Sequence, residues 1–415
     1  MDLCSSKRCI IGFVMLNLND LYSNRAKRNA GSFLRQIFPR TREPGVINFA
    51  GGLPNPDFFP IEPIIAATEK AMRMDGRETL QYGMTEGLLG LREWIADRYA
   101  RQGLKVTPDQ ILITNGSQQG IDLIGKVFLD PGDKMVIEAP GYMSAIQSFA
   151  MYEPQFIGVS LNEQGMVVDE LADTLKQHRV KLMETCPSFQ NPSGLAYSIA
   201  TREALAKVVS QHNVVVVEDD PYAELRFMGA ETKSLQAYLG EQVITLGSFS
   251  KIVAPGLRLG WTLASPEITR KLTLAKQLVD IHTNLFAQRV LFQYLLDGNI
   301  DGHINQMRGV YLSQRNAMVD AMARYFPPET VFTKPEGGMF VWVTLPEDAD
   351  AMALFNLSMD TEKVAFVPGV PFYTDGKGKN QMRLSFSTQS PAKIEEGMQR
   401  LGRVISSYLD APSKN

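Results

Sequence analysis

The sequence predicts an α/β protein, with a mostly parallel seven-stranded sheet in a large domain and a smaller α+β domain after it. Three observations lead there. Between residues 111 and 264 a short apolar run, a turn and a helical pattern keep recurring, and seven such runs occur. The run 214–217 is all valine; without polar alternation it reads as a strand buried on both faces, the habit of parallel sheets. From residue 265 to 326 helical patterns take over, and a mixed set of short strands and one last helix closes the chain.

In chain order, residues 1–60 are rich in Asn, Arg, Gly and Pro and read as an arm rather than a domain. Lys7 and Arg8 precede the apolar run CIIGFVML, a faint likeness to a secretory leader. That run is too short to span a membrane, and NLND stands where a small-residue cleavage site belongs. Met15 offers a second start. The large domain is placed at 61–300, with strands ILIT (111–114), MVIE (135–138), FIGVSL (156–161), KLMETC (181–186), VVVVE (214–218), VITLG (243–247) and LGWTLA (259–264). The small domain, 301–415, carries GMFVWVTL (338–345), VAFVPG (364–369), MRLSFS (382–387) and a helix near 391–409. Residues 373–380, YTDGKGKN, read as a mobile polar loop.

Bulk properties exclude several classes. The 415 residues are 44% hydrophobic and 21% charged, with a net charge of −3, so no basic field invites nucleic acid. Three cysteines, Cys4, Cys9 and Cys186, do not make a disulfide framework and favour a reducing, cytoplasmic setting. Four histidines lack metal-ligand spacing, and neither a metal site nor a membrane span is expected.

In an α/β sheet, ligands sit at the carboxyl ends of the strands, so the residues just after each strand are the candidates. After ILIT, the segment Asn115 to Gln119 holds a glycine turn feeding a helix, which is either a phosphate cradle or a simple connection. Tyr142 follows MVIE and either stacks on a planar ligand or packs in the core. Asn191 follows KLMETC in a stretch whose Asn-Pro and Ser-Gly pairs also form turns. Asp219 ends the valine strand; a carboxylate there needs a cationic partner such as a pyridinium or Mg²⁺, unless the loop is solvated. Lys251, in GSFSK after VITL, is a candidate Schiff-base amine or a surface lysine. Arg258 follows seven residues on, and its planar fork suits phosphate or carboxylate.

Two other motifs fall away. The stretch from Gly120 to Lys126 imitates a P-loop, but Val127 replaces the needed hydroxyl residue and the stretch lies inside a helical pattern. Ser248 and Lys251 form S-x-x-K, but the S-D-N and K-T-G partners of the serine acyl-transfer enzymes are missing. The remaining pieces together fit one ligand, pyridoxal 5′-phosphate (PLP), for which a lysine and an acidic partner at the ring nitrogen are the expected parts.

With these residues in hand, the chain resembles the fold-type I, class I/II PLP-dependent aminotransferases over nearly its whole length. It is most similar to the 2-aminoadipate and kynurenine/aminoadipate branch. The phrases that carry the likeness are FAGGLPNPDFFP (49–60), LQYGMTEG (80–87), ITNGSQQ, EAPGYMSAIQSF, PSFQNPSG, VVVEDDPY, GSFSK, PGLRLGW, GGMFVW and VAFVPG. The resemblance implies that Lys251 holds the cofactor and shuttles the substrate proton, and that Asp219 keeps the pyridine nitrogen protonated. It implies that Tyr222 and Asn191 bond the phenolic oxygen, that Tyr142 stacks on the ring, and that Ser117, Gln118, Ser248 and Arg258 bind the phosphate. Tyr82 would reach the phosphate of a neighbouring subunit, which implies a homodimer with shared active sites. Arg383 would clamp the substrate α-carboxylate, Asn191 would also bind substrate, and Gly51 and Gly52 would line the pocket. Arg35 and Ser32, in RNAGSFLRQIF (28–38), would meet the substrate side chain, the arginine suiting a distal carboxylate.

The expected activity is transfer of an amino group from an L-amino acid like 2-aminoadipate, or an aromatic or branched one, to 2-oxoglutarate. A lyase or decarboxylase on the same cofactor is the nearer alternative. A PLP-binding sensory domain of a transcription regulator is the remoter one, since no helix-turn-helix pattern precedes FAGGLP. Two departures stand out: Glu184 sits in mid-strand without an evident partner, and the first twenty residues match nothing in the family.

Overall fold

The computed structural model describes residues 16–28 and 33–410, with the side chains of residue 28 and of 33–36 left aside. The strands are, in chain order, β1 (Ile47–Asn48), β2 (Ile111–Thr114), β3 (Lys134–Ala139), β4 (Gln155–Asn162), β5 (Gly165–Met166), β6 (Val180–Thr185) and β7 (Val215–Asp219). They continue as β8 (Val243–Ser248), β9 (Gly260–Leu263), β10 (Val331–Phe332), β11 (Phe340–Thr344), β12 (Val364–Ala365), β13 (Val367–Pro368) and β14 (Gln381–Ser385).

The main sheet runs β2-β9-β8-β7-β6-β3-β4-β5. Its interior pairs from β8 to β4 are all parallel, whereas β9 is antiparallel to both β8 and β2. It holds eight strands rather than seven, because the two-residue β5 folds back on β4; two residues carry no readable period. Side chains of successive strand residues enter opposite layers, as the period of two requires. Leu182, Val217 and Ile244 join the helices Ser117–Phe128 and Met143–Ala150, whereas Met183, Val216 and Val243 join Val168–Gln177 and Ile199–Val209. The valine run is thus buried from both sides.

A second sheet, β10-β11-β14-β13, is antiparallel. Its core continues into the helices Ile300–Tyr325 and Pro391–Asp410. Three helices, Pro266–Asp280, Leu285–Asp297 and Ile300–Tyr325, account for the helical stretch between the sheets. The arm is stitched to the C-terminal part by β1, which pairs in parallel with β12, and by the Phe49 N–H bonded to the Ala365 carbonyl at 2.8 Å. VAFVPG splits into β12 and β13 instead of forming one strand. Residues 373–380 form neither helix nor strand.

Candidate active site

Strands β2, β3, β6, β7 and β8 run the same way, so their carboxyl ends share one edge. A cavity of about 380 Å³ opens there, closed on the other side by Arg383 of β14 and Phe372. At one end Gly116 turns the chain with φ +73° and starts the helix Ser117–Phe128 without a side-chain cap. The first N–H groups of such a helix lack internal partners and favour an anion. A larger residue at 116 would be strained at this φ and would push the Arg258 guanidinium aside, since a Cβ there would stand 2.7 Å from its Nη2. Arg258 itself adopts φ +55° after a short turn at Pro255–Leu257, a left-handed conformation that aims its guanidinium at this end. Its Nη2 donates to the Asn115 carbonyl at 3.4 Å. Ser248 Oγ accepts the Ser250 N–H at 3.1 Å. Gln118 lines the cavity, with its amide donating to Ser148 Oγ at 2.5 Å.

At the deep side, Asp219 is 3% exposed and its Oδ1 has no hydrogen-bond partner. Burial and the charge of Glu138 push its carboxyl up to about 7, against the pull of Lys251. A buried, unpartnered carboxylate oxygen is costly unless a cation or an N–H meets it. Lys251 Nζ donates to the Gly52 carbonyl at 2.9 Å. Burial and the nearby Arg383 guanidinium lower its amine to about 8, with Asp219 opposing. Tyr222 lies edge-on to Phe340 at 5.8 Å, and burial raises its hydroxyl well above the ordinary value. Tyr142 lines the same cavity at the start of the helix Met143–Ala150.

Across the cavity from the sheet, Arg383 is a buried cation. Its Nη1 donates to Asn191 Oδ1 and its Nη2 to the Ala50 carbonyl, each at 2.8 Å, while Nε has no partner. The guanidinium lies 4.4 Å from the Phe340 ring centre and 5.3 Å from that of Phe372. No carboxylate of the described residues pairs with it, and burial lowers it to about 10. Gly52 leaves room for this packing, since a Cβ would approach Phe340 Cζ to 3.0 Å.

Eleven of the residues predicted from sequence therefore line one cavity: those named above together with Ser117. Gly51 does not line it. Tyr82 is 76% exposed and lies outside, edge-on to His282 at 5.7 Å. Ser32 lies outside the described residues, as does the Arg35 side chain; the Arg35 backbone belongs to the helix Phe33–Thr41. Phe38 of that helix lines the cavity, as does Leu53. Sequence reasoning assigned no role to Phe38, Phe340 or Phe372, because an aromatic in a mixed segment reads as core.

Glu138, at the end of β3, was also missed. Its carboxylate accepts from Thr185 Oγ1 (2.7 Å), the Cys186 N–H (3.0 Å), Tyr197 Oη (2.5 Å) and Gln190 Nε2 (2.8 Å). These bonds anchor the loop that carries Asn191. Glu184 has no such company. It is fully buried, in register with Ile137 and Val217, and neither carboxyl oxygen has a partner. Burial, then the charges of Glu138 and Asp219, push it well above the ordinary 4.5. The unfolded chain releases this proton near pH 4.5 while the fold keeps it, so the fold loses stability as pH rises from there toward the folded value. Glu184→Met is expected to raise stability at pH 8 by about 1–3 kcal/mol, with a smaller gain at pH 5. Urea unfolding at the two pH values measures it.

The parts fit PLP: a capless helix start with Arg258 for the phosphate, an unpartnered Asp219 oxygen for a ring N–H, and a Lys251 amine for the aldehyde. Residues 44–401 match the family described as aminotransferase class I and II. The chain is 40% identical, over 95% of its length and 96% of the relative's, to aromatic-amino-acid aminotransferase 1 of Thermococcus litoralis. It is 41% identical to the 2-aminoadipate transaminase of Thermus thermophilus, over 95% of this chain and 98% of that one. The crystal structure of LysN, an α-aminoadipate aminotransferase from Thermus thermophilus complexed with N-(5′-phosphopyridoxyl)-L-leucine, superposes with a TM-score of 0.89. It shares 40% identity, over 95% of this chain and 99% of that one. The chain belongs to the class I and II aminotransferases and is a PLP-dependent transaminase of fold type I.

Proposed function

We propose that the preferred donor is an L-amino acid with an acidic side chain such as 2-aminoadipate, with aromatic or branched donors as alternatives, and that 2-oxoglutarate is the acceptor. The observation that carries the substrate reading is Arg383: a buried guanidinium, held by Asn191 and two aromatic rings, with no carboxylate of its own among the described residues. It suits the α-carboxylate that every donor brings. The acidic side chain is supported by Arg35, one helical turn from the cavity-lining Phe38, and by the relative named for 2-aminoadipate. Ser32, Gly51 and Gly52 complete the proposed substrate side.

PLP, when bound, supplies an electron sink for the charge left at the substrate Cα. Ser117, Gln118, Ser248 and Arg258 would hold its phosphate, and Tyr142 would cover the ring face. Asp219 would keep the ring nitrogen protonated, and Tyr222 and Asn191 would donate to the phenolic oxygen. Lys251 Nζ, which donates to the Gly52 carbonyl at 2.9 Å, would take the proton from Cα and give it back in the return step. Arg383 would hold the substrate carboxylate in the cavity that Lys251 also lines.

The proposed assembly is a cytoplasmic homodimer with shared sites. Tyr82 is exposed on a loop packed against His282, and Leu278, four residues before His282 in the chain, is 90% exposed. A solvent-facing apolar group of this kind suits burial against a second copy. Among the described residues no helix is long and apolar enough to cross a membrane. The division into arm (1–60), large domain (61–300) and small domain (301–415) is proposed with it.

The test is a visible spectrum of the holoenzyme before and after L-2-aminoadipate, with no oxo acid present. Loss of the bound-cofactor band with growth of the pyridoxamine phosphate band supports the acidic donor. A response only to L-phenylalanine or L-leucine moves the donor to the other class. Release of carbon dioxide instead supports the decarboxylase alternative.

A further inference from the structure

A set of polar side chains lies behind the Gly116 turn and outside the roles described above. Lys276 is fully buried, and its Nζ donates to both oxygens of Asp280 at 2.7 Å and to Gln119 Oε1 at 3.0 Å. Asp280 Oδ2 accepts from Asn115 Nδ2 and from Gln119 Nε2, each at 2.6 Å. Gln119 Oε1 also accepts the Asn115 N–H at 2.9 Å. The residues on both sides of the glycine turn are thus tied to one carboxylate, and that carboxylate is neutralised by its own lysine.

Asp280 sits at a strained point. It ends the helix Pro266–Asp280, and Ile281 follows with φ +64° and ψ −60°. The His282 N–H bonds back to the Asp280 carbonyl at 2.7 Å, closing a three-residue γ-turn of the rare positive-φ kind. A β-branched residue adopts this conformation only where its flanks over-determine it. The far flank is tied as well: Thr283 Oγ1 donates to the Ile113 carbonyl at 3.1 Å, and Gln288 Nε2 to the Thr283 carbonyl at 2.8 Å. The strain sits where the helix end meets β2 and the turn after it.

We propose that Asp280, held by Lys276, is a positioning residue for the cofactor phosphate, acting from outside the cavity by fixing the backbone of the Asn115–Gln119 turn. The proposal rests on reading that turn and Arg258 as the phosphate site. Glycine, as at 116, has the widest conformational freedom of any residue. The N–H groups that follow it form a ready anion cradle only if its neighbours are held, and Asp280 is the group that holds both. Because Lys276 cancels its charge, the carboxylate gives this rigidity without repelling an anion.

The experiment compares Asn115→Ala, the double variant Lys276→Met with Asp280→Leu, and Arg258→Gln. Each holoenzyme is stripped and titrated with PLP and, separately, with pyridoxal, which lacks the phosphate; melting of the stripped chain is followed in parallel. Asn115→Ala leaves the Lys276–Asp280 pair intact, and the double variant leaves no unpaired buried charge. Both are expected to weaken PLP binding by about tenfold or more while leaving pyridoxal binding unchanged. A merely structural role would lower melting and weaken both ligands together, and that result overturns the proposal. If the double variant does not fold, Asn115→Ala decides alone. A wild-type ratio of PLP to pyridoxal affinity in Asn115→Ala, with the ratio lost in Arg258→Gln, overturns the positioning role only. An unchanged ratio in Arg258→Gln overturns the phosphate site itself.

Discussion

Lys251→Ala is expected to lower turnover by on the order of 10⁴-fold, the upper range for removing a positioned acid–base group. Two functions go with the amine. In the proposed reading it is the nucleophile that holds the cofactor aldehyde and the base at the substrate Cα, and in the cavity it donates to the Gly52 carbonyl at 2.9 Å. Burial and Arg383 keep that amine near 8, so at neutral pH an appreciable fraction is neutral and able to accept a proton. No other described group can take its place. Asp219 lies in the same cavity, but the proposed reading gives its carboxyl to the ring nitrogen. The measurement is exchange of the Cα proton of L-2-aminoadipate in heavy water, which reads proton transfer apart from cofactor retention. Exchange at the wild-type rate in the alanine variant would remove Lys251 from the proton-transfer role.

Arg383→Lys is expected to weaken transition-state binding, read as kcat/KM, by about 2–5 kcal/mol, which is roughly 30- to 5000-fold. The guanidinium reaches Asn191 and the Ala50 carbonyl with separate nitrogens while lying against Phe340 and Phe372. An ammonium is a point charge, cannot keep both bonds in one plane, and stacks poorly on the rings. The loss should therefore fall on amino acids and spare a primary amine that lacks the carboxylate. Steady-state kinetics with matched donors, one carrying the α-carboxylate and one not, separates the two. Equal losses on both would mean that Arg383 shapes the cavity rather than binds the carboxylate.

Much of the site was legible because its chemistry is local to strand ends. Asp219, Lys251 and the Gly116 turn each follow an apolar run directly, and an α/β sheet brings such positions to one edge. Arg258 was readable for a similar reason, since Gly256 rules out a long helix there. Arg383 was assigned to the substrate carboxylate only through the family resemblance, since its strand position alone fits a surface salt bridge as well. Its neighbours could not be read, because Phe340, Phe372 and Asn191 come from three distant segments.

Glu184 marks the limit from the other direction. The sequence shows a carboxylate in mid-strand and nothing more. The fold places its strand between those that carry Glu138 and Asp219, and of this buried group Glu138 is the one hydrogen-bonded on all sides. Burial without a donor, and two acidic neighbours, push the Glu184 carboxyl well above its ordinary value.

What the sequence determined by itself was the strand–helix alternation, the burial of the valine strand on both faces, and the identity of the groups at each strand end. These depend on hydrophobic periods and turn residues, which act over a few positions. Tertiary structure alone decided which groups meet: Lys251 with the Gly52 carbonyl, Arg383 with Asn191, and Asp280 with Asn115 across 165 residues of chain. Hydrogen bonds of that span leave no period in the sequence, because their geometry is set by the packing of whole layers rather than by the residues between.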